Sequence, residues 1–265
     1  MIFIQYKTKA KPAIETSKIN INEARAVEIA PEYIKKILKF NESNVLQINA
    51  KYPVIKIKPS SIYKKAEKKF NGFYQSIAKN FADFCEKELY KSTAFSSAAH
   101  EKNLENDDYT GEFKPFGAVV TFETAYNKRD FLCIYIDVNI YSGKGRGNTV
   151  RKAHIWKFVK NNIMPISSNQ FVKSDKQIKN KICEYICRVM ETQVKNGEER
   201  YKSGIDSLST DVYRYLNVKN FYLSEIKNKD ETGYSFFFPQ NTIAPYDSGI
   251  VSFDVPESVV KIKNS

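Results

Sequence analysis

The sequence predicts an α+β fold in which long helices pack on antiparallel sheet, the helix-then-strands arrangement occurring twice. Three observations carry this. A stripe of apolar residues at helical spacing precedes three alternating, β-branched runs, and a second such stripe precedes three more. The runs follow one another through short connections instead of alternating with helices, which favours antiparallel strands over a doubly wound sheet. The resulting division is an N-terminal arm of unclear role at 1–42, a first α+β half at 43–162 and a second at 163–265.

The arm opens with a short β-like run and a polar stretch. AVEIAPEYIKKILKF follows, helical in pattern and suited to a helix start near Pro31. From Asn44 the run VLQINAKYPVIKI alternates, and Pro53 predicts two short strands or one kinked edge strand. Pro59, Ser60 and Ser61 cap a long helix to about Tyr90, with Ala66, Phe70, Phe73, Ile77, Phe81 and Phe84 on its buried stripe and lysines over much of the rest. A polar loop containing His100 leads to the strands GAVVTFETAY and DFLCIYIDVNIY. In the second of these Leu132, Ile134, Ile136, Val138 and Ile140 share one face. TVRKAHIWKFV is the third strand, with His154, Trp156 and Phe158 on one face. Beyond a break at Met164 and Pro165, a second long helix near Ser174 to Lys195 buries Ile178, Ile182, Ile186 and Val189. A shorter helix has Ser209, Thr210 and Asp211 near its start. FYLSEI and YSFFF then form a hairpin, and the loop within FFFPQNTIAPYDSGIVSFDVP leads into a last strand, IVSFDV.

A chain of 265 residues can bury a core without disulfide or metal staples. Its 42 Lys and Arg against 30 Asp and Glu give a net charge of +12, which suits anionic partners: nucleic acid, acidic polymer or anionic lipid. A solvated lysine surface is the plainer account of the same charge. Cys85, Cys133, Cys183 and Cys187 read as reduced thiols, since a disulfide between residues one helical turn apart is geometrically poor. No CxxC or HxxxH pair is present, and neither a metal nor any other cofactor is expected. The N-terminal MIFIQYKTKAKP is too short in its apolar run for a signal core, and no later run approaches a membrane span, so the chain as written carries no export or anchor segment.

One phosphate-like motif occurs, GKGRGN at 143–148, but a strand follows it where a P-loop or dinucleotide fingerprint needs a helix. A hairpin connection and an anion-binding loop both remain open for it. No nucleophile–base signature is found. Asp137 and Asp247, near Asp130 and Asp254, could converge as a carboxylate pair of glycosidase type. Nucleic-acid binding has charge and aromatic residues in its favour and no recognised motif.

Two segments carry a family resemblance. IAPYxxGxxxFxxP is met by Ile243, Ala244, Pro245, Tyr246, Gly249, Phe253 and Pro256, and YxGxxxGNT by Tyr141, Gly143, Gly147, Asn148 and Thr149. Over roughly 50–256 the chain resembles the paired domains of unknown function 4163 and 3298. These form the extracytoplasmic part of RsiV-type anti-sigma factors, which bind lysozyme, and accompany the catalytic domain of PdaC-type peptidoglycan deacetylases. The resemblance implies a binding module and no enzyme. Lys144, Gly145 and Arg146 depart from the family's usual residues, as do Asn241 and Thr242, so roles at those family positions do not transfer.

The expectation is therefore a non-catalytic ligand- or protein-binding module of the cell-envelope sensor kind. Its candidate surface comprises Lys144, Arg146 and Asn148 on one hairpin and Tyr246, Asp247 and Ser248 on the late loop, with Tyr246 as the packed anchor and the last two free to meet a partner. An anionic cell-wall polymer or an acidic protein suits the charge. Lysozyme is implied by the resemblance and disfavoured by like-sign repulsion. The rivals are an intracellular nucleic-acid binder using the lysine-rich helix faces and a cell-wall hydrolase. Location divides in the same way: outside the cytoplasm by resemblance, inside it by the lack of a signal.

Overall fold

The computed structural model describes residues 27–57, 64–104, 113–128, 130–143, 147–159, 162–197, 201–202, 204–226 and 232–260. A six-stranded sheet comprises β1 (Glu28–Phe40), β2 (Ser43–Lys56), β3 (Phe116–Lys128), β4 (Phe131–Tyr141), β5 (Asn148–Val159) and β6 (Asn162–Ile166), neighbouring in that order. A second sheet is the antiparallel meander β7 (Phe221–Glu225), β8 (Thr232–Phe238) and β9 (Val251–Pro256). The helices are α1 (Lys64–Phe84), α2 (Tyr90–Leu104), α3 (Lys176–Lys195), α4 (Ile205–Tyr215) and the single turn α5 (Glu257–Val260). The α+β architecture and the helix-then-strands order are those the sequence predicts. No described helix is long and apolar enough to cross a membrane.

Several local expectations are corrected. Residues 28–40, read as helical, are strand β1, joined to β2 by a two-residue turn in which Asn41 and Glu42 both have positive φ, 46° and 66°. Spacing explains the misreading: Ile34, Ile37 and Leu38 fit one helical face, yet in the strand Ile34 and Leu38 pack on the core while Ile37 is 59% exposed. Strand β2 is unbroken and lies between β1 and β3, though past Ala50 it has no β3 partner. Pro53 faces Pro31 across the ladder, and Ile55, two residues on, turns both its N–H and its C=O to the Asn71 side chain of α1. Position 53 shares that outward direction, so no ladder bond is lost there. The break expected at Met164 and Pro165 is the short strand β6 instead. His100 lies in α2 and not in a loop, because a π-helical turn, Cys85–Leu89, carries α1 on into α2.

Strands β2 and β3 are parallel, linked by the α1–α2 crossover, and every other neighbouring pair is antiparallel. Helix α1 covers one face of the large sheet with Ala66, Phe70, Tyr74, Ala78, Phe81 and Ala82. Burial of an aromatic ring such as Phe70 contributes roughly 1.5–3 kcal/mol over exposure. The indole of Trp156 on β5 donates to the Tyr74 hydroxyl at 2.9 Å, which satisfies the polar tip of each ring. In the second half, the Asp175 carboxylate accepts from Ile178 N–H at 2.8 Å and caps α3. Ile178, Ile182, Cys183, Ile186, Cys187 and Met190 of that helix then pack over the small sheet.

The two cores meet through the large sheet. Alternation sends Leu132 and Ile134 to the α1 side and Cys133 to the other, where Leu223 N–H of β7 approaches its sulfur at 3.4 Å. The small sheet thus lies on the face of β3–β5 opposite α1, and a polar seam runs along its margin.

Candidate functional site

Lys144 and Arg146 lie outside the described residues. Asn148 is exposed at the start of β5, and Asp247 and Ser248 are exposed in a single 3-10 turn, Tyr246–Ser248. Tyr246 is half-buried there. The turn ends at Gly249, whose φ of 65° and ψ of −141° suit only glycine. At Gly147 a Cβ would come within 2.5 Å of Asn139 Oδ1, so a larger residue would require the Asn139 side chain to shift.

The two halves of the expected surface are joined by a residue that sequence reasoning missed. Gln240, at the mouth of the late loop, accepts from Thr149 N–H at 2.8 Å through Oε1 and donates through Nε2 to the Tyr246 carbonyl at 3.0 Å. Asn139 of β4 donates to Thr149 Oγ1 at 2.8 Å from the other side. The loop is held from beneath by buried Ile243 and Ala244 and by Lys202, whose ammonium donates to the Asn241 carbonyl at 2.6 Å. Its tip is thus set by a built frame, with Asn241 itself at positive φ, 63°.

Along the same seam Arg151 of β5 lies over the Tyr135 ring, its guanidinium carbon 3.8 Å from the centroid, with Tyr222 and Phe237 of the small sheet within 5.8 and 6.0 Å. Its Nε and one terminal nitrogen each donate to Asp137 at 2.7 Å, a bidentate pair with side chains only 11% and 20% exposed. Burial opposes the charge on Arg151, but the hydrogen bonds and charge of Asp137 outweigh it and hold the guanidinium pKa above its ordinary value. Burial also raises the Tyr135 hydroxyl, against the pull of Arg151. Asp137 therefore spends both oxygens on a fixed partner, which ill suits the carboxylate-pair chemistry considered for it with Asp247.

His154 sits among Phe73, Tyr74 and Trp156, and burial first, then the charge of Lys152, pushes its pKa down to about 3. It is neutral at physiological pH. Among the described residues no three His, Cys, Asp or Glu side chains gather as a metal site, and the four cysteines are free and buried.

No family model matches the chain, and no curated protein matches it. The solved structures similar to it over most of its length include two bacterial proteins. One is a member of the domain of unknown function 3298 family from Bacteroides fragilis, with a TM-score of 0.57 at 14% identity over 88% of this chain and 91% of that one. The other is a DUF3298 family protein from Pseudomonas aeruginosa, with a TM-score of 0.48 at 7% identity over 88% and 92%. At such identities the likeness concerns backbone architecture, and the chain shares the fold of a solved protein of the domain of unknown function 3298 family.

Proposed function

We propose that the chain is a non-catalytic binding module of the cell-envelope sensor kind, with its ligand surface formed by the end of the 143–148 hairpin and the 243–249 loop. The Gln240 bridge supports this above all: one side chain holds Thr149 and Tyr246 together and so makes a single preorganised surface from two distant segments. Asp247 and Ser248 present carboxylate and hydroxyl groups at its tip, and Asn148 is exposed at the start of β5. The net charge of +12 favours an anionic wall polymer or an acidic protein over a basic lysozyme. The lysozyme-binding and deacetylase-associated relatives enter only through the sequence resemblance.

Titration of the folded protein against peptidoglycan, teichoic acid and lysozyme tests the reading. Binding to one of them that weakens in Gln240→Ala is the expected result; no binding to any would sink it. A second reading has one observation of its own, the exposed Lys64, Lys65, Lys68, Lys69 and Lys79 along α1. It requires association with DNA or RNA that falls steeply as salt is raised.

A further inference from the structure

Strand β5 pairs with β4 from Asn148 to Lys157, but on its other side β6 covers only Ile155 to Val159. Among the described residues, no strand pairs with that side of β5 between Asn148 and His154. Successive residues of an antiparallel strand turn their N–H and C=O to alternate sides. Phe158 N–H donates to the Asp130 carbonyl on the β4 side, so the odd-numbered residues face the other way. Thr149 does so, and its N–H is taken by Gln240. Arg151 and Ala153 therefore direct their main-chain groups outward, along an open edge bounded by Gln240 at one end and by Ile166 of β6 at the other.

At the Ile166 end the edge meets a cavity of about 130 Å³ lined by Phe73, Ala153, His154, Trp156, Pro165 and Phe221, among others. It is near the size at which an apolar void accepts a benzene ring. His154 Nδ1 is buried at this place with no hydrogen-bond partner among the described residues. The rim is basic: Lys219 is exposed in the lining, and exposed Lys152 stands on the edge strand itself.

We propose that this edge accepts an extended, acidic peptide of a partner protein as a strand added to β5 in line with β6, with one aromatic side chain seated in the cavity. Main-chain bonds to Arg151 and Ala153 set the register, and the cavity selects the side chain. The basic rim favours an acidic occupant over a second copy, which would set Lys152 against its own counterpart in molecules of +12 charge. The inference concerns the β5 edge and goes beyond the wall-ligand reading without resting on it, so the peptide selection and the polymer titrations can fail separately.

The test is selection of a phage-displayed library of random linear peptides on the folded chain, with the enriched peptides synthesised. The expected result is acidic, β-branched sequences carrying an aromatic residue, whose binding slows hydrogen exchange at the Arg151 and Ala153 amides. Ala153→Pro removes one outward donor at an edge position that tolerates proline, and is expected to weaken binding about tenfold. N-methylation of the peptide backbone should have a similar effect. If Ala153→Pro fails to fold, the surface change Lys219→Glu is expected to weaken the acidic peptides in its place. No enrichment, peptides that bind the variants unchanged, or binding without protection at 151 and 153 would overturn the proposal. So would concentration-dependent dimerisation that protects those amides without peptide.

Discussion

Asp137 and Arg151 are worth most to each other when both are present. Asp137→Ala leaves a guanidinium, only 11% exposed, among three rings with no counter-charge. Unfolding by urea is expected to show a loss of about 3–5 kcal/mol, and adding Arg151→Met is expected to restore most of it, because no buried charge then remains. His154 gives a pH signature. Its folded pKa of about 3 lies below the ordinary 6.5, so between those values the unfolded chain binds the proton and the folded one does not. Stability contributed by His154 is complete above about pH 6.5 and falls as the solution is acidified toward pH 3, with a slope approaching about 1.4 kcal/mol per unit. The urea midpoint of His154→Phe should be flatter than that of the wild type over this window; parallel curves would refute the assignment. Residues of this kind were partly legible. The alternation of β5 placed His154 beside Trp156, but nothing local marks Gln240, a polar residue in a proline-flanked loop whose partner Thr149 is 91 positions away.

At the scale of elements, the sequence was reliable where packing and local preference agree. β4 and α3 show clean periods and lie where those periods place them. It misled where tertiary pairing overrides local pattern. The Ile34, Ile37 and Leu38 spacing is compatible with a helix, but pairing with β2 along the whole of β1 outweighs so weak a preference. The crossover is sealed by a device invisible in any local window. Beyond the last β2–β3 pair, Ala50 with Val120, Asn71 of α1 donates to and accepts from Ile55, and Glu67 accepts from Ile57 N–H at 2.8 Å, so helix side chains stand in for a strand partner. Asn71→Ala is expected to lower stability by about 1–3 kcal/mol, through an unsatisfied main-chain pair, and to speed hydrogen exchange at the Ile55 amide. Unchanged exchange there would show that water replaces the side chain freely.

For the whole molecule, interleaved cores make the cysteines a reporter of global integrity. Burial pushes Cys85 and Cys133 up to about 12 and Cys183 to about 11 and also raises Cys187, so little thiolate exists in the folded chain. An aromatic disulfide reagent should label few thiols in the native protein and all four in denaturant. Rapid native labelling of Cys133 would mean that the two sheets separate readily. The overall class was legible because helix stripes and strand runs are long; the single parallel step between β2 and β3 was not, since nothing in either strand names its neighbour. That step also orders events in time. The β1–β2 hairpin and the β3–β6 meander can each form from near neighbours, but their strands pair only at Leu46–Ala50 against Phe116–Val120, across all of α1 and α2. Closing so long a loop for five residue pairs is slow, so refolding should pass its barrier at this junction, with both pieces already in place.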